Sequence, residues 1–405
     1  MVTDELRSTS DQHYRKQIYA LLQVTRAINN NFPAKDLFSI CEYILEKQLG
    51  FTKFAYSSFE EIWKWPICLN AKHETQHIIP EKDLNSFTDI TIIIPEKHPS
   101  LQNFDVVVPV LHKSQALAYL LIGDLDRKQI SERHQDFEFV QTICNIIAVA
   151  IENKRLFKDN LQREMFRREL EMAREVQNML IPSQLPFDEH FDFSAFYQPM
   201  RQVGGDYYDF MYLNEDEILF CVADVSGKGV AAAILMANFQ AFLRAMAPSM
   251  KDLASLVVQL NDRVVQSAKG EKFITMFIAT YSISRRLLTY VNAGHNPPVL
   301  HHSLGNKHLA LGTTGLGMLE KLFRLNIGQE KIHQESLLLC FTDGLVEQED
   351  DSGSDFGTAH LIEFMDKNSG LSSEEFNKKL IESLVHFKGQ QPYIDDIALL
   401  TCRFH

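Results

Sequence analysis

Residues 221–236, CVADVSGKGVAAAILM, decide how the rest of the chain is read. The apolar run leading into them (Ile218, Leu219, Phe220, Val222, Ala223) predicts a buried strand. It ends on a single carboxylate, Asp224. SGKG at 226–229 then predicts a tight turn that only small residues make comfortably. An Ala-rich helix follows at once. One carboxylate at a strand end, beside exposed turn amides, is a place for metal or phosphate chemistry.

The bulk properties narrow the class. At 405 residues the chain exceeds one ordinary core, so two or three domains are expected. With 45% hydrophobic and 23% charged residues it is globular in composition. The net charge of −13, from 53 acidic against 40 basic residues with no basic tract, argues against nucleic acid as the main partner. No apolar run approaches the roughly 20 residues of a membrane span. The polar start MVTDELRSTSDQ lacks a signal-peptide apolar core. The six cysteines are scattered without a CxxC, as reduced core residues of a cytoplasmic protein would be.

Along the chain, an apolar helical face runs from Tyr14 through Ile18, Leu21, Leu22, Val24 and Ile28, and a second helix covers 37–49. Strand-like runs follow at 54–57, 90–94, 105–110 and 116–123, and a long helix begins near Ser131. This is an α+β domain over 13–155. Its order resembles a GAF sensory domain, carried by VTRAINNNF (24–32), VVPVLHKSQALAYLLIGD (107–124) and FEFVQTICNIIAVAIENKRLF (137–157). It lacks the NKxFDE-like signature of nucleotide-binding members and a cysteine placed for a bilin, so its ligand is left unknown. Trp63 and Trp65 either line a pocket or pack.

From 151 to 180 there is no Gly or Pro, and Glu, Arg, Leu and Met dominate. Phe166, Leu170, Ala173 and Leu180 share a stripe flanked by Met165, Val176 and Met179. Over 156–183 this predicts a helical linker, read as a parallel coiled coil between two protomers of a homodimer. Pro182 and Pro186 end it.

From about 190 to 404, strands (218–223, 274–282, 287–291, 337–341, 397–403) alternate with helices (230–246, 253–268, 372–387). Aspartates stand where several of these elements begin or end: Asp206 and Asp209 in VGGDYYD, Asp224 in VADVSGKG, Asp343 in CFTDGLVE, and Asp395 and Asp396 in YIDDIALL. Carboxylates beside buried apolar runs cost free energy unless something compensates them. A cluster with no His or Cys company suits hard divalent ions, Mg²⁺ or Mn²⁺. GGDYYD lacks the Glu-Phe of the GGDEF signature, and SGKG lacks the outer residues of a Walker A loop, so neither is read as a nucleotide site.

The ordered set VGGDYYD, ADVSGKGVAAAILMA, FITMFIATY, YVNAGHNPPVL, LGMLE, FTDGLVEQ, FG and DDIALL resembles the bacterial PPM-type serine/threonine phosphatases. More narrowly, it resembles the branch of the sporulation stage II protein E and the general-stress sigma regulators. The resemblance implies an αββα sandwich with a metal centre at one edge. Asp206 would bind a first cation with the backbone carbonyl of Val225, Asp224 would bridge two, and Asp343 and Asp395 would hold the second. Asp209 and Asp396 rank lower, as supporting or alternative ligands. Arg201 is a candidate phosphate-binding residue, and Asn292 and His295 are expected to shape the nearby loop. The expected cofactors are two Mn²⁺ or Mg²⁺, and the expected partner is a phosphorylated STAS-domain anti-anti-sigma protein. The resulting expectation is a sensor-gated phosphoserine/phosphothreonine phosphatase. The alternative is a non-catalytic signalling scaffold with a vestigial phosphatase fold.

Overall fold

The computed structural model describes residues 2–59, 61–112, 115–303 and 305–405, and of residues 2–13 the backbone alone. Two of the residues in the GAF-like signature, Lys113 and Ser114, therefore lie outside the described set. The chain divides into two compact units, Met1–Glu164 and Met165–His405.

In the first unit, helices α1 (Val2–Asn29) and α2 (Ala34–Tyr43) precede a five-stranded antiparallel sheet. Its strands are β1 (Lys53–Phe59), β2 (Trp63–Leu69), β3 (Thr91–Ile92), β4 (Val106–His112) and β5 (Gln115–Gly123), in the order β2-β1-β5-β4-β3. Two short helices, α3 (Pro80–Asp83) and α4 (Arg127–Glu132), flank it, and α5 (His134–Asn178) begins in this unit. Val24, Leu37, Phe54, Leu120 and Ile143 share one core with both long helices on one face of the sheet. A smaller core about Leu84, Phe104 and Tyr119 fills the other face. The helix expected from Tyr14 starts earlier, at Val2. β2 is not legible from its pattern, because Pro66 interrupts the short alternation of Trp63, Lys64 and Trp65. Trp63 packs as an aromatic, 5.5 Å from Phe59 and 5.3 Å from Tyr119 between ring centroids.

The second unit has two stacked sheets. One runs β13 (Gly312–Thr313), β10 (Leu287–Ala293), β9 (Ile274–Ser282), β8 (Glu217–Val225), β7 (Tyr207–Tyr212), with β14 (Gly328–Lys331) also paired to β10. The other runs β12 (Gly305–His308), β11 (Val299–His302), β15 (Ser336–Phe341), β16 (Ile397–Phe404), β6 (Phe191–Gln198). Helices α6 (Val230–Met246) and α7 (Leu253–Ala268) cover the first sheet. Helices α9 (Gly357–Asn368) and α10 (Ser373–Lys388) cover the second, and α8 (Asp343–Val346) is one turn after β15. The strands predicted from apolar runs are all present. β6 and β7 escaped notice because Asp, Ser and Tyr interrupt their patterns.

The sheets are joined by aromatic contacts. Phe193 of β6 lies 5.3 Å from Phe220 of β8, and Tyr281 of β9 lies 4.7 Å from Phe404 of β16, between ring centroids. The segment Val230–Ser249 is, by length and composition, apolar enough to cross a membrane. Asn238, Gln240 and Arg244 stand within it. Here Leu235, Met236, Phe239 and Leu243 are buried in the core beside the sheet. Five of the six cysteines are buried and all are free.

Phe220 is fully buried where both sheets meet. Phe220→Ala is expected to cost about 3–5 kcal/mol through the cavity it leaves, read as a shift in the urea midpoint with an unchanged slope.

Candidate active site

Two strand pairings build the site. Antiparallel pairing sets residues directly opposite one another. In the first sheet Tyr207 pairs with Ala223, so Asp206, just before β7, stands against Asp224, at the end of β8. In the second sheet Phe341 pairs with Leu399. That pairing brings the turn after β15, with Asp343, beside the segment leading into β16, where Asp395 acts on the Asp343 carboxyl and Asp396 packs against Gly344. Stacking the sheets brings the two pairs to one edge of the sandwich.

Glycines let the backbones close in. At Gly205 a Cβ would sit 2.9 Å from the Val225 carbonyl oxygen, so that carbonyl is turned toward the Asp206 segment. At Gly344 a Cβ would sit 2.1 Å from the Asp396 carbonyl oxygen. Gly227 and Gly229 hold φ of 84° and 77°, the left-handed region that makes SGKG a glycine turn. The turn is tied to the start of β9: Ser226 Oγ accepts from the Phe273 amide at 2.9 Å, and Lys272 Nζ donates to the Ser226 carbonyl at 2.8 Å.

The carboxylates strain against one another. Burial, then Asp224 and Asp396, hold the Asp206 carboxyl well above the usual range. Burial, then Asp343, push Asp224 up to about 7, with a hydrogen bond to Asp206 acting the other way. Asp343 is raised by burial and by Asp395. Without a cation, opposed carboxylates relieve their repulsion by retaining a proton. Asp206 is 2% exposed, and among the described residues its Oδ2 has no hydrogen-bond partner.

The remaining expected residues divide. Asp396 is engaged by backbone amides: Oδ1 accepts from Met200 and Oδ2 from Gly205, both at 2.7 Å. Asp209, ranked lower as a supporting or alternative ligand, is held by side chains of its own domain. It is fully buried and takes Arg244 in a two-pronged ion pair at 2.7 and 2.9 Å, with Tyr207 Oη on the same carboxylate. Three residues apart, Asp206 and Asp209 leave the extended chain on opposite faces, and Asp209 meets Arg244 of α6. Arg201 is exposed on the loop before Asp206, with its guanidinium 3.9 Å from where a Cβ on Gly229 would sit.

A cavity of about 280 Å³ opens here, lined by Asp224, Lys228, Thr275, His295, Asp343 and Asp395 among others. His295 is held below the usual range, at about 4, by burial, so its ring is neutral at pH 7. Nδ1 meets Thr275 Oγ1 at 3.0 Å, and its amide donates to Asn292 Oδ1 at 2.8 Å. Two participants were missed in the sequence. Thr342 hydrogen-bonds the Asp206 carboxyl. Lys228, set aside as no Walker lysine, forms an ion pair with Asp395 at 2.8 Å and donates to the Ile394 carbonyl at 2.7 Å.

The residues fit divalent cations. The donors are carboxylate and carbonyl oxygens, the set that hard ions prefer, and a buried carboxylate oxygen lacks a protein partner. Among the described residues no three His, Cys, Asp or Glu side chains form a closed ligand set.

A carboxyl raised on folding stabilises most where both folded and unfolded forms are protonated, below about pH 4, and that contribution is lost as pH rises through its folded value. For Asp224 that value is about 7. Asp224→Asn is therefore expected to raise the melting temperature of chelator-treated protein at about pH 8 and to change it little at about pH 4. Calorimetric melts across this range measure it.

Comparison with known proteins agrees with this architecture. Residues 214–405 match the family model for stage II sporulation protein E (SpoIIE). The chain is 27% identical over 324 residues to protein IcfG of Synechocystis sp., an alignment covering 73% of this chain and 51% of that protein. It is also 27% identical over 244 residues to the phosphoserine phosphatase RsbU of Bacillus subtilis, covering 60% of this chain and 72% of RsbU. The chain thus spans about half the length of IcfG. Among solved structures, the PP2C domain of SiaA from Pseudomonas aeruginosa matches with a TM-score of 0.54 at 18% identity, over 60% of this chain and 99% of that domain. The SpoIIE match over residues 214–405 and the shared sandwich show that the C-terminal unit carries a SpoIIE-type domain with the PP2C fold.

Proposed function

We propose that the protein is a metal-dependent phosphoserine/phosphothreonine protein phosphatase. The observation that carries this reading is the convergence of Asp206, Asp224, Asp343 and Asp395 from two different sheets, with a buried Asp206 oxygen left unpaired. Structural convergence alone is a poor reason to bury like charges, since each costs desolvation as well as repulsion. Two Mn²⁺ or Mg²⁺ would be held by Asp206 and the Val225 carbonyl, by Asp224 between them, and by Asp343 and Asp395. Bound there, such a pair supplies an activated water at neutral pH and neutralises phosphate charge.

The chain's own residues do the rest. Asp396 holds the loop that carries Asp206. Arg201, at the mouth of the site, offers a planar cation to the phosphate oxygens. His295, neutral and bonded to Thr275, holds the 292–296 loop as one wall. Lys228 must release Asp395 before that carboxylate can serve a cation.

RsbU is named a phosphoserine phosphatase, which supports a phosphoserine protein as substrate; the substrate proposed is a phosphorylated STAS-domain anti-anti-sigma protein in a partner-switching pathway, as the resemblance to the general-stress branch implies. The domain limits belong to this proposal: a GAF-like sensor over 13–155, a linker over 156–183 and the phosphatase over 190–404. The helix, helix, antiparallel sheet and closing helix of the first unit support the sensor reading. Along α5, Leu161, Met165, Phe166, Met172, Val176 and Met179 are exposed, an apolar set suited to pairing with a second copy.

Mn²⁺-dependent release of phosphate from a phosphoserine protein is expected, and Asp224→Asn or Asp343→Asn should reduce it roughly 10³-fold, equivalent to about 4 kcal/mol, with unchanged circular dichroism. Full activity in either variant would leave the scaffold alternative. Light scattering of the full chain at micromolar concentration is expected to give a dimer that Met172→Glu with Met179→Glu converts to a monomer.

A further inference from the structure

The two halves of the carboxylate site differ in how their oxygens are already engaged. Asp206 keeps Oδ2 unpartnered among the described residues, and Asp206 and Asp224 answer chiefly to burial and to other carboxylates. Asp395 has neither oxygen idle. Its Oδ1 accepts from the Asp396 amide at 2.8 Å, and its Oδ2 meets Lys228 Nζ at 2.8 Å.

The place of Lys228 is set by the turn that carries it. Left-handed glycines stand on either side, Gly227 and Gly229. Behind them, Lys272 and the Phe273 amide hold Ser226. From this turn of the first sheet the Lys228 side chain reaches the segment that leads into β16 of the second. There Nζ also donates to the Ile394 carbonyl at 2.7 Å and lies 3.7 Å from Met200 Sδ. Its charge acts on Asp343 and Asp396 as well, against the burial that raises both carboxyls. The Asp343–Asp395 half thus carries a positive charge of its own, while the Asp206–Asp224 half is left with repulsion and an open oxygen. The Lys228 and Asp395 side chains are 37% and 33% exposed, so water competes for both and the pair is a weak one. A divalent ion brings twice the charge to the same carboxylate.

We propose that Lys228 is the resident counter-cation of the Asp343–Asp395 position, so that divalent cations load in order. The Asp206–Asp224 position fills first, and the second position fills only by expelling the Lys228 ammonium from Asp395. The inference rests on the two-cation reading above and adds to it that the positions are unequal. Because the lysine competes for the second ion alone, the site stays half-loaded when divalent metal is scarce.

The test uses the full chain freed of metal and titrated with Mn²⁺ by calorimetry. Wild type is expected to show two binding events, the weaker being the one that Asp343→Asn removes. Lys228→Gln removes the charge and keeps a polar side chain. It should tighten the weaker event about fivefold, the upper range for releasing a partly exposed ion pair. The tighter event should move by less than about twofold, since salt screens charges that are not in contact. Lys228→Arg keeps the charge and can grip a carboxylate at two points, so its weaker event should stay at wild-type affinity or fall below it. If Lys228→Gln does not fold, Lys228→Ala carries the same expectation. Two wild-type events of equal affinity, no tightening in the variant that lacks the charge, equal tightening of both events, or tightening in Lys228→Arg would each overturn the inference and leave the phosphatase reading standing. A wild-type chain that neither binds Mn²⁺ nor hydrolyses a phosphoprotein would remove both.

Discussion

The structure turns on the cost of holding several carboxylates together out of water. Asp206 and Asp224 face each other across one strand pair, and Asp343 and Asp395 lie across another. Burial and mutual repulsion raise the first three above the ordinary carboxylate range. A fold pays for such an arrangement only if its remaining interactions hold the strand ends rigidly. Here they do: a core running between two sheets, closed by aromatic contacts such as Phe193 with Phe220 and Tyr281 with Phe404.

Against that background, chemically identical side chains acquire different roles from their partners. Asp209 is as deeply buried as Asp206, yet Arg244 and Tyr207 satisfy it, and it serves as an internal ion pair. Asp396 adjoins Asp395 in sequence, yet its oxygens accept from the amides of Met200 and Gly205 and brace a loop. Asp206 alone among these three buried carboxylates keeps an oxygen without a partner. Availability, more than burial, separates the proposed ligand Asp206 from Asp209 and Asp396.

The same logic extends to the entering helix. Its exposed apolar residues make it a poor free-standing helix and a good partner for another. Its point of entry is polar and fully paired at Gln177. A polar contact of that kind is geometrically demanding, because a small shift breaks hydrogen bonds that an apolar contact would merely slide past.

Much of this was legible in the sequence. The strands at 218–223, 274–282 and 337–341 are continuous apolar runs, and such runs in a chain of this composition have nowhere to go but a core. The glycine turn after Asp224, the helix behind it and the aspartates at strand ends also follow from local chemistry. β2, β6 and β7 did not, because their burial depends on neighbours distant in sequence and not on their own alternation. Nor could the sequence find the Arg244 partner of Asp209 or the Lys228–Asp395 pair, or single out Gln177 within a helix full of polar residues. Each of those depends on which atom lies within about 3 Å, and that is decided by how two sheets stack and where a helix ends. Local residue types determined the elements and the kind of chemistry; tertiary packing decided which carboxylates are free to perform it.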